Sequence, residues 1–559
     1  MQTLSGRQAL LSILKDEGVD HLFGNPGTTE LPLMDTLVDH PEIRYVLGMQ
    51  EAIAMAMADG YSRASGKLSV VNVHVAPGLG NTIGSVFNAK FFGSPVLVTA
   101  GQQEHGLSLT EPMLYDDLVK IAAPVTKWAT EVARVQDLPR TIRRAAKVAL
   151  TPPTGPVFVS LPRDVLMATA ELEMGAPTRV ESAARPSDAL LNRLADRLLQ
   201  AKNPVLISGH EIYTGDAVAE LAQVAELLGA PVYTQTVAYV ALFNTDHPLF
   251  MGELSRIQTT VRSLLEPHDL LFDLGSDNLR MANPSTVEPV PQGLPIVQVG
   301  LRDWELGKNY PAELALHADV KQTLSALIPL LKAKRTGEYA AAAQQRAQTV
   351  AAKNWAAKRK QLVAKTQAQS HATPISPEYL MMTLADTIPG DAVVVEEGLT
   401  STRTLLNFLH VDHRQRFYGL ASGGIGFAIA GAVGIQLATP NRPVVAVIGD
   451  GSAMYSIQAL WTAAHLKLPI TYVIANNFSY RILKERVFAL KGPAAAADKY
   501  FGMDFRDPPI AFPALAESLG VKAFQVTRPQ DLVPTLHAAL SHTGGPRLVD
   551  VHVAEGYKG

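Results

Sequence analysis

The chain contains no cysteine. That excludes disulfides, thiolate metal sites and a cysteine nucleophile, and makes a reducing cytoplasm the expected compartment. It also lacks an excess of charge of either sign. Its 49 Lys and Arg stand against 52 Asp and Glu, a net −3, which leaves no electrostatic footprint for a nucleic-acid partner. Residues 1–17 lack the basic start, apolar core and small-residue cleavage site of a secretory signal, and read as an amphipathic helix with charges inside it. One long stretch lacks charge altogether, residues 417–441. Gly419, Gly423, Gly424, Gly426, Gly431 and Gly434 interrupt it and its other residues are mostly small, so it reads as a glycine turn before a buried helix. No membrane partner is expected.

What is present is a chain of 559 residues, 47 % hydrophobic and 18 % charged, the composition of an ordinary globular protein too long for one core. Strand and helix patterns alternate over the first part. Apolar runs at 43–47, 68–75, 95–98 and 156–161 are separated by helical segments and by a glycine-rich stretch, 78–84, that reads as a loop. Residues 170–187 have the polar, Pro/Ala-rich character of a linker. A second set of strands is read at 204–207, 231–233, 270–274 and 296–299. Residues 334–370 are rich in Ala, Gln, Lys and Arg and read as an exposed helical connection. The expected fold is α/β, three doubly wound parallel-sheet domains over 1–168, 188–333 and 371–559, with 334–370 as the helical linker.

The sharpest motif is Gly449-Asp450-Gly451-Ser452, followed at the end of the next apolar run by Asn476-Asn477. The run 444–448 reads as a buried strand, 456–466 as a helix and 470–474 as the next strand. Ends of parallel strands are where open α/β sheets bind ligands. A glycine turn opening a helix offers N–H groups to phosphate oxygens, and Asp and Asn oxygens beside it suit a hard divalent cation. The bland reading of Asp450 is a helix N-cap. The Asn pair at this spacing favours a metal–diphosphate clamp.

Further motifs extend over nearly the whole chain: residues 23–32 (Phe23-Gly24-Asn25-Pro26-Gly27-Thr28-Thr29-Glu30-Leu31-Pro32), Gln50-Glu51-Ala52, Asn72-Val73-His74, Gly101-Gln102-Gln103, Gly423-Gly424-Ile425-Gly426-Phe427-Ala428 and Ala459-Leu460-Trp461-Thr462-Ala463-Ala464. With these the sequence resembles the thiamine-diphosphate-dependent decarboxylase and carboligase superfamily, and within it the benzoylformate decarboxylases. The resemblance implies pyrimidine-binding, middle and diphosphate-binding domains in that order, and thiamine diphosphate with Mg²⁺ as cofactors. It assigns the metal to Asp450, Asn477 and the carbonyl of Ser479. Leu399, Thr400, Gly449, Gly451, Ser452 and Tyr480 would line the diphosphate and thiazolium. Gly423 and Ile425 would shape the bent cofactor. Glu51 would face the aminopyrimidine, and its apolar surroundings, residues 52–58, suit a desolvated carboxyl. Because Glu51 and the clamp lie on different domains, the resemblance further implies a site shared between subunits, in a homodimer at least and a homotetramer by family habit.

On the substrate side the resemblance makes His74 an acid–base and gives the hydroxyl of Thr28 to the substrate carboxylate. Leu114, Leu399 and Leu483 would form an apolar wall. Two departures stand out. Ala282 falls where the benzoylformate decarboxylases have a second catalytic histidine, with Asn278, Arg280 and Asn283 as candidates to replace it. Ile482 replaces a small residue and Arg486 an aromatic one. These changes suggest a narrower or more polar substrate, although Arg486 reads equally well as a solvated helix charge. The implied reaction is decarboxylation of a 2-keto acid to an aldehyde and CO₂ with carboligase side activity. The alternatives are an acyloin carboligase or lyase acting on an aldehyde, and an inactive cofactor-binding regulatory paralogue. The stretch 78–84 mimics a dinucleotide fingerprint without its spacing, and no flavin is expected in the middle domain.

Overall fold

A computed structural model describes the chain except for residues 278, 282, 283, 542, 543 and 557–559. The chain divides into two compact units. One comprises Met1–Glu181, Ser370–Arg403 and Leu420–Gly559; the other comprises Ser182–Gln369 and Thr404–Gly419.

The first unit holds two parallel sheets. The first runs in the order Arg44–Leu47, His21–Gly24, Ser69–His74, Val96–Gln102, Val157–Pro162, Ala129–Glu131. Its central strands are buried on both faces because helices cover both sides of a parallel sheet. That is why they read as unbroken apolar runs. Within this unit the second sheet orders Val393–Glu397, Val444–Gly449, Ile470–Asn476, Arg547–His552 and Lys522–Val526 in parallel register.

Two helices join the sheets. Glu51–Ser65 is capped by the Gln50 side chain, which accepts from the N–H groups of Ala52 and Ile53, and it stops at Gly66 in the left-handed conformation, φ 69°. It crosses Ala428–Ala438, the buried helix expected from the uncharged stretch. The crossing is backbone on backbone. A Cβ at Gly60 would overlap the Gly431 carbonyl, and one at Gly434 the Met57 carbonyl. Arg63 lies at the same junction, 4.2 Å from the Phe92 ring and 4.1 Å from the Phe427 ring, with its charge on the buried Asp59.

The second unit has one parallel sheet in the order Phe250–Glu253, Val232–Thr234, Pro204–Ser208, Leu270–Leu274, Ile296–Gly300, Leu314–His317. The crevice between Pro204–Ser208 and Leu270–Leu274 is filled from within. There Glu211 accepts from the Leu301 and Arg302 N–H groups, and Arg302 pairs with Asp277 at 2.8 Å. The segment read as an exposed connection forms helices Gly337–Ala351 and Trp355–Gln367, and Val350 and Trp355 anchor it in this unit's core. No helix among the described residues is long and apolar enough to cross a membrane.

The glycine stretch 78–84 is not a loop. Helix Val75–Phe92 begins directly after the strand and runs through it. Glycine costs a helix interior roughly 1 kcal/mol per residue, and of the three here only Gly78 has a close neighbour that uses the missing side chain. Gly78 faces Glu51, and a Cβ there would lie 3.2 Å from the carboxylate.

Candidate active site

In the first sheet the chain order reverses between His21–Gly24 and Ser69–His74. The crevice beyond the carboxyl ends of two such strands is the usual ligand position in an open α/β sheet. Residues 25–30 leave one strand there and His74 ends the other. Thr28 is exposed at this edge. Thr29 and Glu30 are buried. The Glu30 carboxylate takes the N–H groups of Gly27 at 2.9 Å and Gly101 at 3.0 Å, the Thr29 hydroxyl at 2.7 Å and the His74 Nδ1 at 2.8 Å. The residue after His74, Val75, is buried at φ 42°, a conformation a β-branched side chain rarely adopts.

Glu51 opens its helix beside this edge and is 8 % exposed. Its Oε2 accepts from Asn81 Nδ2 at 2.9 Å, and Oε1 lies 3.4 Å from Asn25 Nδ2. Both contacts are amides, and among the described residues no cation pairs with this buried carboxyl. Leu114, 39 % exposed at φ 72°, stands on the loop that follows strand Val96–Gln102.

The clamp is assembled at the ends of the adjacent strands Val444–Gly449 and Ile470–Asn476. Asp450 Oδ1 accepts from the Gly451 N–H at 2.8 Å and Oδ2 from the Ser479 N–H at 3.2 Å. Asn477 Oδ1 also accepts from Ser479, at 3.0 Å from both its N–H and its hydroxyl. Phe478, at φ 60°, makes the reversal that brings these groups together. Burial raises the Asp450 carboxyl to about 7 against several N–H donors that lower it. A buried acid short of positive charge, sharing the Ser479 N–H with an amide oxygen, fits a divalent cation, which would supply the missing charge. Gly451 has no room for a side chain because the Tyr480 ring packs against it. Gly449 caps the short helix Asp450–Ala453 that carries Ser452.

Leu399 and Thr400 follow strand Val393–Glu397, with Leu399 36 % exposed. Tied to the end of that strand is the loop 423–427, where Gly423 at φ 83° and Gly426 at φ 115° make bends and Ile425 is half-buried. Glu397 holds this loop, accepting from the Gly426 and Ala428 N–H groups, both at 2.5 Å. Burial drives the Glu397 carboxyl up to about 7, with those N–H groups opposing the shift.

Helix Arg481–Ala489 follows the clamp and carries Ile482, half-buried, and Leu483 and Arg486, both exposed. Its Lys484 is buried against Asp504 and Glu555, each at 2.5 Å. Ala282, with Asn278 and Asn283, lies outside the described residues.

Comparison with known proteins decides the family. Residues 4–120 match the thiamine pyrophosphate enzyme N-terminal TPP binding domain, 191–327 the central domain and 400–551 the C-terminal TPP binding domain. The chain belongs to the thiamine pyrophosphate enzymes. It is 33 % identical to a benzoylformate decarboxylase of Pseudomonas aeruginosa, over 97 % of this chain and 98 % of that one. The solved thiamine diphosphate-dependent 4-hydroxybenzoylformate decarboxylase of Rhodococcus jostii RHA1 superposes with a TM-score of 0.86 at 32 % identity, covering 99 % of both chains. An acetolactate synthase of Mycobacterium bovis is 28 % identical over 98 % of this chain and 88 % of its own. A thiamine pyrophosphate enzyme of this kind binds thiamine diphosphate through its first and third domains, which here are the parts that carry Glu51 and the clamp.

Several residues that build this site carry no motif of their own. Glu30 lies inside the 23–32 motif, but its carboxylate is held by the Gly101 N–H, 71 positions away. Glu397 is one of two adjacent glutamates, and only the fold turns it onto the loop. Asp550, fully buried, accepts from the Asn476 amide at 3.0 Å and so orients the first Asn of the clamp pair.

Proposed function

We propose that this enzyme decarboxylates a 2-keto acid, benzoylformate-like or smaller, to an aldehyde and CO₂ without oxidation, and couples aldehydes as a side activity. The observation that carries the reading is that one chain holds both Glu51, a buried carboxyl bound by amides, and the clamp at Asp450 and Asn477, and is related to a benzoylformate decarboxylase over 97 % of its length. Mg²⁺ would be held by Asp450, Asn477 and the Ser479 carbonyl. Gly449, Gly451, Ser452, Leu399, Thr400 and Tyr480 would bracket the diphosphate and thiazolium, with Gly423 and Ile425 against the ring system. Bound thiamine diphosphate supplies the electron sink that loss of CO₂ from a keto acid requires.

The protein's own residues then do four things. Glu51 presents a desolvated carboxyl to the aminopyrimidine. Thr28 offers a hydroxyl to the substrate carboxylate. Leu114, Leu399 and Leu483 exclude water from it, which favours loss of its charge as CO₂. His74 moves a proton at the substrate oxygen. Ile482 narrows the pocket and Arg486 adds polarity at its edge. With Ala282 in place of a second histidine, Asn278, Arg280 or Asn283 would take over its duty. We place the protein in the cytoplasm as a homodimer or a homotetramer built from it, with each site completed by two chains.

The acetolactate synthase relative supports a second reading, an acyloin carboligase or lyase. CO₂ release from a panel of 2-keto acids with thiamine diphosphate and Mg²⁺ separates the two. Turnover of an aromatic or small keto acid, with a loss of 10²-fold or more in Glu51→Gln, is the expected result. Near-normal turnover in that variant sinks the scheme. Aldehyde coupling or acyloin cleavage without keto-acid turnover installs the second reading. A chain that binds the cofactor and turns over neither class is the regulatory paralogue.

A further inference from the structure

We propose that Glu30 is a positioning residue: it locks His74 in one proton arrangement, with Nδ1 committed as a donor and Nε2 left as the atom that exchanges protons with substrate. The inference rests on the reading of His74 as an acid–base and adds the group through which it is set.

The argument is a count of donors. A carboxylate has about four lone-pair sites. Glu30 Oε1 receives the Thr29 hydroxyl at 2.7 Å and the Gly101 N–H at 3.0 Å; Oε2 receives the Gly27 N–H at 2.9 Å and His74 Nδ1 at 2.8 Å. Two backbone N–H groups and the Thr29 hydroxyl take three of the four sites, so the fourth, at Oε2, is a lone pair turned toward His74. Its partner at His74 must be an N–H. The Thr29 contact agrees. With its proton given to Glu30, the Thr29 oxygen can accept from the same Nδ1–H at 3.0 Å. No other assignment satisfies both contacts. The hydrogen bond at one imidazole nitrogen fixes the role of the other.

The surroundings are built for this pair. A Cβ at Gly27 would overlap the His74 ring, and one at Gly101 would overlap the Glu30 carboxylate. The Glu30 side chain is 1 % exposed while His74 keeps 22 %, so the ring's open side is the one away from Glu30. Tyr45, a titratable group near Glu30, is held well above the usual phenol range by burial and then by the Glu30 charge, so it stays neutral. Val75, strained at φ 42°, fixes the backbone on the far side of the histidine.

The test is a double-mutant cycle on the holoenzyme with thiamine diphosphate and Mg²⁺, using the keto acid that the panel identifies. Gln at position 30 must turn an NH₂ toward at least one of the four donors and loses the anion. Glu30→Gln is expected to lower kcat by about 10²-fold, the scale of a misplaced acid–base group, with KM changed by less than about threefold. His74→Ala is expected to lose a similar factor. The double variant should be no worse than either single within about threefold, because residues acting as one unit are not additive. Multiplicative losses, or a Glu30→Gln kcat within threefold of the parent while His74→Ala is impaired, overturn the inference alone. A fully active His74→Ala overturns the acid–base reading and the inference with it. Should Glu30→Gln fail to fold, Thr29→Val removes one hydroxyl from the same cluster at constant shape. A three- to tenfold fall in kcat at constant KM is then expected, and an unchanged kcat overturns the proposal.

Discussion

The residues that hold this site in shape are carboxylates placed where water cannot reach them. Glu397 is the clearest case, with a carboxyl lifted from 4.5 to about 7 by burial, only partly offset by the N–H groups of Gly426 and Ala428. A group raised in the folded state contributes stability that is complete below its unfolded value and is lost as pH rises through the folded value. For Glu397 the window is about pH 4.5 to 7, and the loss is on the order of 3 kcal/mol. Asp450 titrates in the same region in the metal-free chain, so the measurement is a difference between two proteins. Denaturant unfolding of the metal-free parent should show stability falling from pH 5 to pH 8. Glu397→Gln should show a shallower fall by that amount, together with weaker cofactor binding through a loosened 423–427 loop. Parallel stability curves for the two proteins would refute the assignment. This also marks a limit of sequence reading. Asp450 and Asn477 could be read because two strands bring them together at a fixed spacing. Glu397 and Glu30 could not, because the groups they hold, the Gly426 and Ala428 N–H groups for one and the Gly101 N–H and His74 ring for the other, lie far along the chain.

At the scale of elements, helix Glu51–Ser65, which Glu51 opens, packs on Ala428–Ala438 through glycines. Strand runs such as 444–448 were legible from apolar composition alone, and so was the buried helix after the glycine turn. The stretch 78–84 reads as a loop because glycine signals a break, whereas in the fold it is helical and Gly78 makes room for the Glu51 carboxylate of a neighbouring helix. Similar logic gives a prediction about the helix crossing. A methyl at Gly434 meets the Met57 carbonyl and one at Gly60 meets the Gly431 carbonyl, both rigid backbone. Gly434→Ala and Gly60→Ala should each destabilise the protein by about 1–3 kcal/mol, as overpacking does. Gly337 opens helix Gly337–Ala351 with open space around it. Gly337→Ala should therefore be neutral or stabilising by up to about 1 kcal/mol. Thermal melts of the three variants against the parent check both statements, and equal shifts for all three would show that the crossing is not the cause.

At the scale of the whole molecule, the question is whether one chain makes a complete site. Large apolar side chains stay exposed beside both halves: Met49 at 50 %, Leu109 at 94 % and Met113 at 85 % near the Glu51 edge, and Tyr455 at 57 % and Leu483 at 42 % near the clamp. Their exposure fits a surface that a second copy covers, and a two-fold pairing of identical chains would bury both halves at once. If Glu51 of one chain serves the clamp of its partner, two inactive variants can repair each other. Glu51→Gln lacks one half and Asp450→Ala the other. In a mixed dimer, one site collects both defects and the other has none. Random reassortment makes half of the dimers mixed, and each of those has one sound site out of two. Activity should return to about a quarter of the parent value, from two proteins that are each nearly inactive. A site made within a single chain predicts the opposite, since every site would carry one defect in any mixture. Co-refolding or subunit exchange followed by CO₂ release distinguishes them, and no recovery after demonstrated exchange would place Glu51 and Asp450 of the same chain in one site.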